Sequence, residues 1–332
     1  MTTLIDDLTR AAASDEFSGL VSLDTAGRRE LLLTGGFADR AHGIRPTEDT
    51  RFGLASGGKL FTALAVLSLV DDGTLSLATT ARSLLGDDLP LIDDDVTVEQ
   101  LLAHRSGIGD YLDEEGDGEI DDYVLAAPVH TLAETEGFLP LLDGFPQKFP
   151  PGERFGYCNS GYLVLALLAE RASGIPYHRL VEERVLAKAG LTRTAFLRSD
   201  ELPGDAAVGY LGDESDRTNV LHLPVRGNGD GGIYSTVGDL SRLWAALVDG
   251  LIVAPDTVAL MTRSHSDETD EDMRYGLGMY LHETGPQLVI TGYDAGVSFW
   301  SRFDPRTRQT ISILSNTAEG AWPLVEIAAE AD

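Results

Sequence analysis

The sequence has almost no cysteine and few positive charges. It contains one cysteine, Cys158, in 332 residues, which excludes an intramolecular disulfide. Lysine and arginine total 25 against 54 aspartates and glutamates, so the formal net charge is −29. A chain this acidic repels nucleic acid and anionic membranes, so neither is predicted as a partner.

Long apolar runs are missing as well. The longest apolar stretches, such as residues 163–169, are too short to span a lipid bilayer. The first residues lack a basic segment followed by an apolar run, so no signal peptide is predicted. We therefore expect a cytoplasmic location.

Several chemical signatures are absent too. The sequence has no Gly-x-Ser-x-Gly motif, which excludes the nucleophile elbow of α/β-hydrolases. It has neither His-x-His nor His-Glu-x-x-His, so no metal site and no cofactor is predicted. The acidic stretch 113–119 hints at a calcium loop, but its twelfth position would be Val124 instead of Glu, which favours a solvated loop. A thiol hydrolase would need a histidine beside Cys158, and no sequence feature supplies one, so a small buried residue is favoured.

The composition that is present is that of a globular protein. Hydrophobic residues make up 43% and charged residues 24%, enough for one large or two closely joined domains. The predicted elements run strands, helices, strands, which indicates an α+β fold with a mostly antiparallel β-sheet flanked by helices. We predict a sheet domain of residues 1–55 plus about 205–332, with a mostly helical domain of about 56–204 inserted. The active site would lie at the seam.

Periodicity and turn residues predict the individual elements. Helices are predicted at 4–13, 60–70, 159–172, 176–189, 236–248 and 322–329, with another that starts at the capping box 97–100 and ends by 106–107. Strands are predicted at 19–24, 30–34, 275–281, 287–291, 297–303 and 309–314. The glycine-rich stretch 227–232 is predicted to be a flexible loop.

One stretch, residues 52–63, organises the rest of the chain. Ser56 lies at the predicted start of a helix, and Lys59 follows three residues later on the same face. A serine needs a nearby base to become a nucleophile, and a lysine can serve if burial lowers its pKa. The helix N-terminus adds backbone N–H groups where an oxyanion would form. By itself, the pair favours a serine N-cap followed by an exposed lysine, so the catalytic interpretation depends on the rest of the chain.

Two further stretches carry candidate residues. In 151–162 a Pro-Gly turn is followed by Tyr157 and Asn159, which point the same way if the segment is extended. A tyrosine near a lysine can relay a proton, although a turn with a core tyrosine explains the stretch as well. In 289–299 a strand reaches Gly292, where a substrate backbone could approach the sheet edge. Taken by itself, that stretch favours an ordinary hairpin.

These three motifs, in this order, resemble the serine β-lactamase and penicillin-binding-protein family. The resemblance is closest to its class C β-lactamase, DD-peptidase and esterase branch, and it covers most of the chain. It extends to residues 97–111, 231–240 and 276–278. The family implies an antiparallel sheet flanked by helices, with an inserted mostly helical domain.

The resemblance also implies roles for individual residues. Ser56 would be acylated, Lys59 would hold or take its proton, and Tyr157 would act as base and pass the proton to the leaving group. Asn159 would orient Lys59 and the substrate amide, and Thr291 and Gly292 would bind substrate. The backbone N–H groups of Ser56 and Tyr293 would form the oxyanion hole.

One position departs from the family pattern. Ile290 stands where a lysine or histidine commonly meets a substrate carboxylate. We therefore predict a serine hydrolase that acts through an acyl-enzyme on Ser56 and favours neutral esters or D-amino-acid amides over anionic β-lactams. The alternatives are a true β-lactamase or DD-carboxypeptidase, with another arginine replacing the cation, and a catalytically silent binding module. The expected partner is a small-molecule substrate.

Overall fold

The computed structural model describes residues 2–14, 17–113, 120, 123–212, 215–268 and 273–330. Residues 114–119 of the acidic stretch considered for calcium lie outside the described residues. No helix in the described ranges is both long and apolar enough to cross a membrane.

The strands form one large antiparallel sheet and one short pair. They are β1 Gly19–Thr25, β2 Arg28–Gly35, β3 Phe52–Gly53, β4 Tyr234–Ser235, β5 Ser266–Glu268, β6 Met273–Tyr275, β7 Tyr280–His282, β8 Leu288–Asp294, β9 Val297–Asp304 and β10 Gln309–Ser315. Within the described ranges, the large sheet has the order β2-β1-β10-β9-β8-β7-β6-β5, and β3 pairs with β4. The N-terminal hairpin therefore joins the C-terminal strands, as the sequence predicts.

The helices lie between and outside these strands. They are α1 Thr2–Ala12, α2 Lys59–Asp71, α3 Ala81–Leu85, α4 Val98–Leu102, α5 Leu139–Leu142, α6 Asn159–Ser173, α7 Tyr177–Val181, α8 Ala187–Ala189, α9 Val237–Val248, α10 Pro255–Met261 and α11 Trp322–Ala329. A π-helical segment, Glu182–Leu186, joins α7 to α8, so the helix predicted at 176–189 is continuous.

Helices cover both faces of the sheet. Adjacent residues of β1 show this, because Leu20 belongs to the core shared with α2 and α6, whereas Val21 packs with α1 and α11. Strand side chains alternate between the two faces, so residues 19–24 of β1 are all buried. On the first face, the Trp244 indole of α9 donates a hydrogen bond to Ser301 Oγ at 2.9 Å and stacks on Phe303.

Helix α2 runs through the centre of the molecule. Its residues from Lys59 to Leu69 are all buried, because leucine, alanine and valine occupy every side of the helix. Each large apolar side chain buried in this way contributes about 1.5–3 kcal/mol to stability. The helix ends before Gly73, whose φ of 79° is left-handed, which confirms the predicted stop.

The prediction for residues 275–281 is wrong. This run is not one strand but the turn of a hairpin, with Tyr275 at the end of β6 and Tyr280 at the start of β7. Gly278 has a φ of 89° and lets the chain reverse. Helix α10 and strand β4 were not predicted, because both are too short to show a periodic pattern.

The division of the chain follows the origin of these elements. The large sheet is built from two segments, residues 19–35 and 266–315, near the two ends of the sequence. Most of the helical elements lie between these segments, from residue 59 to residue 201. We propose the predicted boundaries, near residues 55 and 205, as the limits of the helical region.

Candidate active site

Ser56 lies on a tight turn that leads into α2. Residues Ala55–Gly58 form a single 3₁₀ turn, and Ser56 is half-buried. Two glycines allow this turn to pack closely: a Cβ on Gly57 would lie 2.4 Å from the Phe299 ring, and one on Gly58 would lie 2.9 Å from Gly231 Cα. The turn is therefore held between β9 and the loop 227–232.

Lys59 is buried beside the serine. Its Nζ lies 2.8 Å from each of three oxygens, which are Ser56 Oγ, Asn159 Oδ1 and the backbone oxygen of Asp230. The last two oxygens can only accept hydrogen bonds, so they take two N–H groups of the amine. The third direction faces the serine hydroxyl. A neutral amine could accept the serine proton there, and the ammonium could donate in return.

The start of α6 delivers Asn159 to this point. Cys158 is extended, with φ −150° and ψ 112°, so Tyr157 and Asn159 both point toward the serine side as predicted. The backbone N–H groups of Asn159 and Ser160 donate to the carboxylate of Asp110 at 2.7 and 2.9 Å. Burial raises the pKa of Asp110, and these N–H groups oppose that rise. Sequence reasoning missed Asp110, which caps α6 from a distant loop.

Tyr157 flanks the lysine. Its ring centroid lies 4.9 Å from Lys59 Nζ, and the residue lines a groove together with Ser56. The face of the ring packs against His104, with the ring centroids 4.4 Å apart. The structure therefore brings Ser56, Lys59, Tyr157 and Asn159 into one site.

The loop 227–232 is a second feature that the sequence misjudged. The loop is packed against its neighbours. Asn228 is buried, and a Cβ on Gly229 would lie 2.1 Å from the backbone oxygen of Tyr162. The Tyr111 hydroxyl donates to Asp230 Oδ2 at 2.5 Å. Burial raises the pKa of Asp230, while the charge of Lys59 opposes that rise. The glycine spacing predicted a turn here, but not this half-buried carboxylate.

Strand β8 forms the wall opposite α6. A Cβ on Gly292 would lie 2.1 Å from the Leu54 oxygen and 3.0 Å from Ser56 N, so only glycine lets β8 approach the serine turn. Strand β7 pairs with β8 only at Leu288 and Val289. Along 291–293 the edge of β8 therefore faces the site, where the Tyr293 N–H lies next to Gly292.

The other predicted residues of β8 fall on different sides. The Thr291 hydroxyl donates to the Phe299 oxygen at 3.1 Å and lines the groove that contains Tyr157. The Tyr293 ring is partly exposed, and its hydroxyl donates to Glu319 at 2.6 Å. Ile290 is buried in the main hydrophobic core and does not extend into the site.

Two cavities meet at Ser56. The first, about 60 Å³, is lined by Asn159, Asp230 and Asp294 among others, and no lysine, arginine or histidine of the described chain lines it. The second is a groove of about 750 Å³ that contains Tyr157, Thr291 and, farther away, Arg302. Ser56 and Tyr293 border both.

Cys158 does not support thiol chemistry. Its side chain is buried, and burial raises the pKa of the thiol well above its usual value. His104 does lie beside it, but the histidine Nδ1 accepts a hydrogen bond from the Cys158 backbone N–H, not from the thiol. In the described part of the chain, no group of three or more His, Cys, Asp or Glu side chains is placed to hold a metal ion.

Comparisons with known proteins place these features in context. A family model described as Beta-lactamase matches residues 5–331. The chain is 29% identical over 315 residues to the putative penicillin-binding protein PbpX of Bacillus subtilis, covering 94% of this chain and 73% of that protein. It is 30% identical over 292 residues to the D-aminopeptidase of Brucella anthropi, covering 85% of this chain but only 52% of the relative. The crystal structure of a penicillin-binding protein from Bacillus halodurans aligns with a TM-score of 0.88 and 34% identity over 99% of both chains.

Proposed function

The chain belongs to the beta-lactamase family and is a serine hydrolase, and from this premise we propose that it forms an acyl-enzyme on Ser56 and prefers neutral esters or D-amino-acid amides to anionic β-lactams. The nucleophile and its base are the first support. The 2.8 Å contact between Ser56 Oγ and Lys59 Nζ is the observation on which the acyl-enzyme proposal rests.

The proposed reaction uses the contacts of this site. Ser56 Oγ attacks the substrate carbonyl carbon, and its proton passes to Lys59 Nζ. The backbone N–H groups of Ser56 and Tyr293 hold the oxyanion. As the tetrahedral intermediate collapses, Tyr157 passes its hydroxyl proton to the leaving group and regains one from the Lys59 ammonium, so the amine is neutral again. Water then attacks the acyl-enzyme, with the same groups working in reverse.

The two cavities can be assigned from the residues that border them. The group that protonates the leaving group must lie beside it, and Tyr157 borders only the large groove. Asn159, which would hold the substrate amide, borders only the small cavity. We therefore assign the groove to the leaving group and the small cavity to the acyl group.

Charge supports the proposed substrate preference. The acyl cavity is bordered by the carboxylates of Asp230 and Asp294, and Asp294 accepts a hydrogen bond from the Tyr123 hydroxyl at 3.0 Å. These acids tolerate the ammonium of an amino-acid amide in the acyl group. The carboxylate of a β-lactam belongs to its leaving-group side, so it would not enter this cavity. Ile290, buried in the core, provides no cation for a carboxylate. The D-aminopeptidase relative is consistent with this preference.

A second candidate, a carboxypeptidase, is favoured by one observation. Arg302 and His282 line the leaving-group groove, and Arg302 pairs in register with Val289, two residues before Thr291. A leaving group long enough to reach Arg302 could place a carboxylate there. That arginine would replace the cation that is missing at position 290.

The acyl-enzyme is tested by active-site labelling. We expect a fluorophosphonate probe to add its mass to Ser56 in the wild type and not in Ser56→Ala. A folded wild type that stays unlabelled, and that hydrolyses no ester or amide, would favour the silent binding module.

The substrate class is tested with the kcat/KM values of nitrocefin, p-nitrophenyl acetate, D-alanine amide and a D-alanyl-D-alanine peptide. We expect the ester and the amide to exceed nitrocefin by at least about tenfold, the scale of one lost charge-assisted contact.

The Arg302→Gln variant tests the carboxypeptidase alternative. It should leave the kcat/KM for the ester within a few-fold of the wild-type value. Selective loss of peptide hydrolysis in that variant would support the carboxypeptidase, and fast nitrocefin hydrolysis would contradict the charge argument.

A further inference from the structure

His104 occupies a backbone position that does not suit it. It follows the end of α4 with a φ of 53°, in the left-handed region, and its side chain is only 1% exposed. Glycine or asparagine commonly fills this place after a helix. A buried histidine held in this conformation indicates that its side chain does something those residues would not.

Two hydrogen bonds that His104 accepts bracket Tyr157. The Gly156 N–H donates to the His104 backbone oxygen at 2.9 Å, and the Cys158 N–H donates to His104 Nδ1 at 3.1 Å. Between these two anchors, the Tyr157 ring packs against the imidazole, with the ring centroids 4.4 Å apart and the planes tilted by 32°. One residue therefore fixes both backbone neighbours of Tyr157 and one face of its ring.

The imidazole performs this role in its neutral form. Burial and the charge of Lys59 lower the pKa of His104 well below its usual value. Because Nδ1 accepts a hydrogen bond, the single proton is on Nε2. Nε2 is buried without a hydrogen-bond partner in the described part of the chain, and the Tyr162 and Tyr275 rings lie 5.0 and 4.8 Å from the imidazole. Among the described residues, the Nε2–H donor of His104 therefore has no hydrogen-bond partner, whereas Nδ1 accepts one hydrogen bond.

We propose that His104 is a positioning residue that aligns the Tyr157 hydroxyl for proton delivery to the leaving group. The inference rests on the proposed function, specifically on the role given to Tyr157. Phenylalanine would supply the ring without the acceptor, and asparagine the acceptor without the ring. Histidine combines the two.

The dependence on the leaving group distinguishes this role from general support of the fold. Ethyl acetate and p-nitrophenyl acetate form the same acetyl-enzyme, so their kcat/KM values compare acylation alone. Ethoxide must be protonated as it leaves, whereas p-nitrophenolate leaves without help. We expect His104→Phe and His104→Asn to lower kcat/KM for ethyl acetate by about 10–100-fold, the scale of a misplaced catalytic group, and for p-nitrophenyl acetate by only a few-fold.

A double-mutant cycle with Tyr157→Phe tests whether the effect passes through the tyrosine. In the Tyr157→Phe background, His104→Phe should have almost no further effect on ethyl acetate hydrolysis. The matched control is Trp244→Phe, a change at another buried ring that loses its hydrogen bond to Ser301 Oγ and borders neither cavity. It should lower the melting temperature without changing the ratio of the two ester rates. Melting temperatures of all variants show that the folded protein is being compared.

Two results would overturn the inference. One is an equal loss on both esters in the His104 variants, and the other is an effect of His104→Phe that simply adds to that of Tyr157→Phe. The proposed function fails differently. If Tyr157→Phe hydrolyses both esters at the wild-type rate, the role of the tyrosine is wrong, and the inference falls with it.

Discussion

At the scale of single residues, Lys59 determines the chemistry of the site. Its three oxygen contacts come from the serine turn, α6 and the loop 227–232, so the amine joins three separate parts of the fold. Removing it would leave Asn159 Oδ1 and the Asp230 oxygen without this donor. The serine hydroxyl would also lose its 2.8 Å contact with the amine.

Lys59→Ala should therefore abolish most of the turnover. We expect kcat for p-nitrophenyl acetate to fall by at least about 10²–10⁴-fold, the usual scale for a general base, with a much smaller change in KM. Steady-state kinetics with melting temperatures measure this. Lys188→Ala is the control, because that lysine bonds the Ile252 oxygen in another part of the chain. A Lys59→Ala enzyme as active as the control would exclude the proposed base.

At the scale of elements, the site depends on how α7 holds the loop 227–232. His178 of α7 is buried, and its Nε2 donates to the Gly227 oxygen at 2.8 Å. Burial, helped by the charge of Arg226, lowers the pKa of His178 to about 4. The same loop positions the Asp230 backbone oxygen against Lys59 Nζ. Protonation of His178 would therefore disturb the loop that holds the catalytic amine.

This titration predicts acid sensitivity. Between pH 6.5 and about 4, His178 binds a proton in the unfolded chain but not in the folded one, so its contribution to stability is lost as the pH falls. The free energy of unfolding should drop by about 2 kcal/mol from this residue between about pH 7 and pH 5. Urea unfolding across this range should show a flatter pH dependence in His178→Gln. The exposed His130→Gln is the control, and a His178→Gln curve parallel to the wild type would contradict the argument.

At the scale of the whole molecule, the charge of −29 is the dominant feature. Many of the few cations pair with acids at the surface, as Arg171 does with Asp88 and Glu136. The 54 acidic residues still outnumber the 25 lysines and arginines that could pair with them. The folded protein therefore carries a self-repulsion that the expanded unfolded chain feels less.

Salt should consequently stabilise the protein. Raising NaCl from about 0.02 M to about 0.5 M shortens the Debye length several-fold and should raise the melting temperature at pH 7.5. Differential scanning calorimetry over a salt series measures the effect. Near the isoelectric point of about 4.4, the same series should have little effect. A melting temperature that falls with salt at pH 7.5 would show that attractive ion pairs outweigh the repulsion.

The elements that the sequence predicted well are those with a strong local pattern. Helix α11 has the predicted bounds, and α6 ends before Gly174, whose φ of 67° fits the predicted stop. The sequence predicts one strand at 275–281 because the turn residues of this hairpin, Leu277 and Met279, are apolar. In the structure both side chains are buried. Their burial is decided by neighbouring elements, not by the local pattern.

The candidate site divides in the same way. The sequence by itself determined the contact between Ser56 and Lys59, because three residues along a helical turn fix which side chains meet. Only the tertiary structure decided the surroundings of that pair. His104 is 54 residues from Cys158, Asp110 is 49 from Asn159, and Tyr111 is 119 from Asp230. Contacts over such separations are set by how helices and sheet pack together, and no local periodicity records that packing.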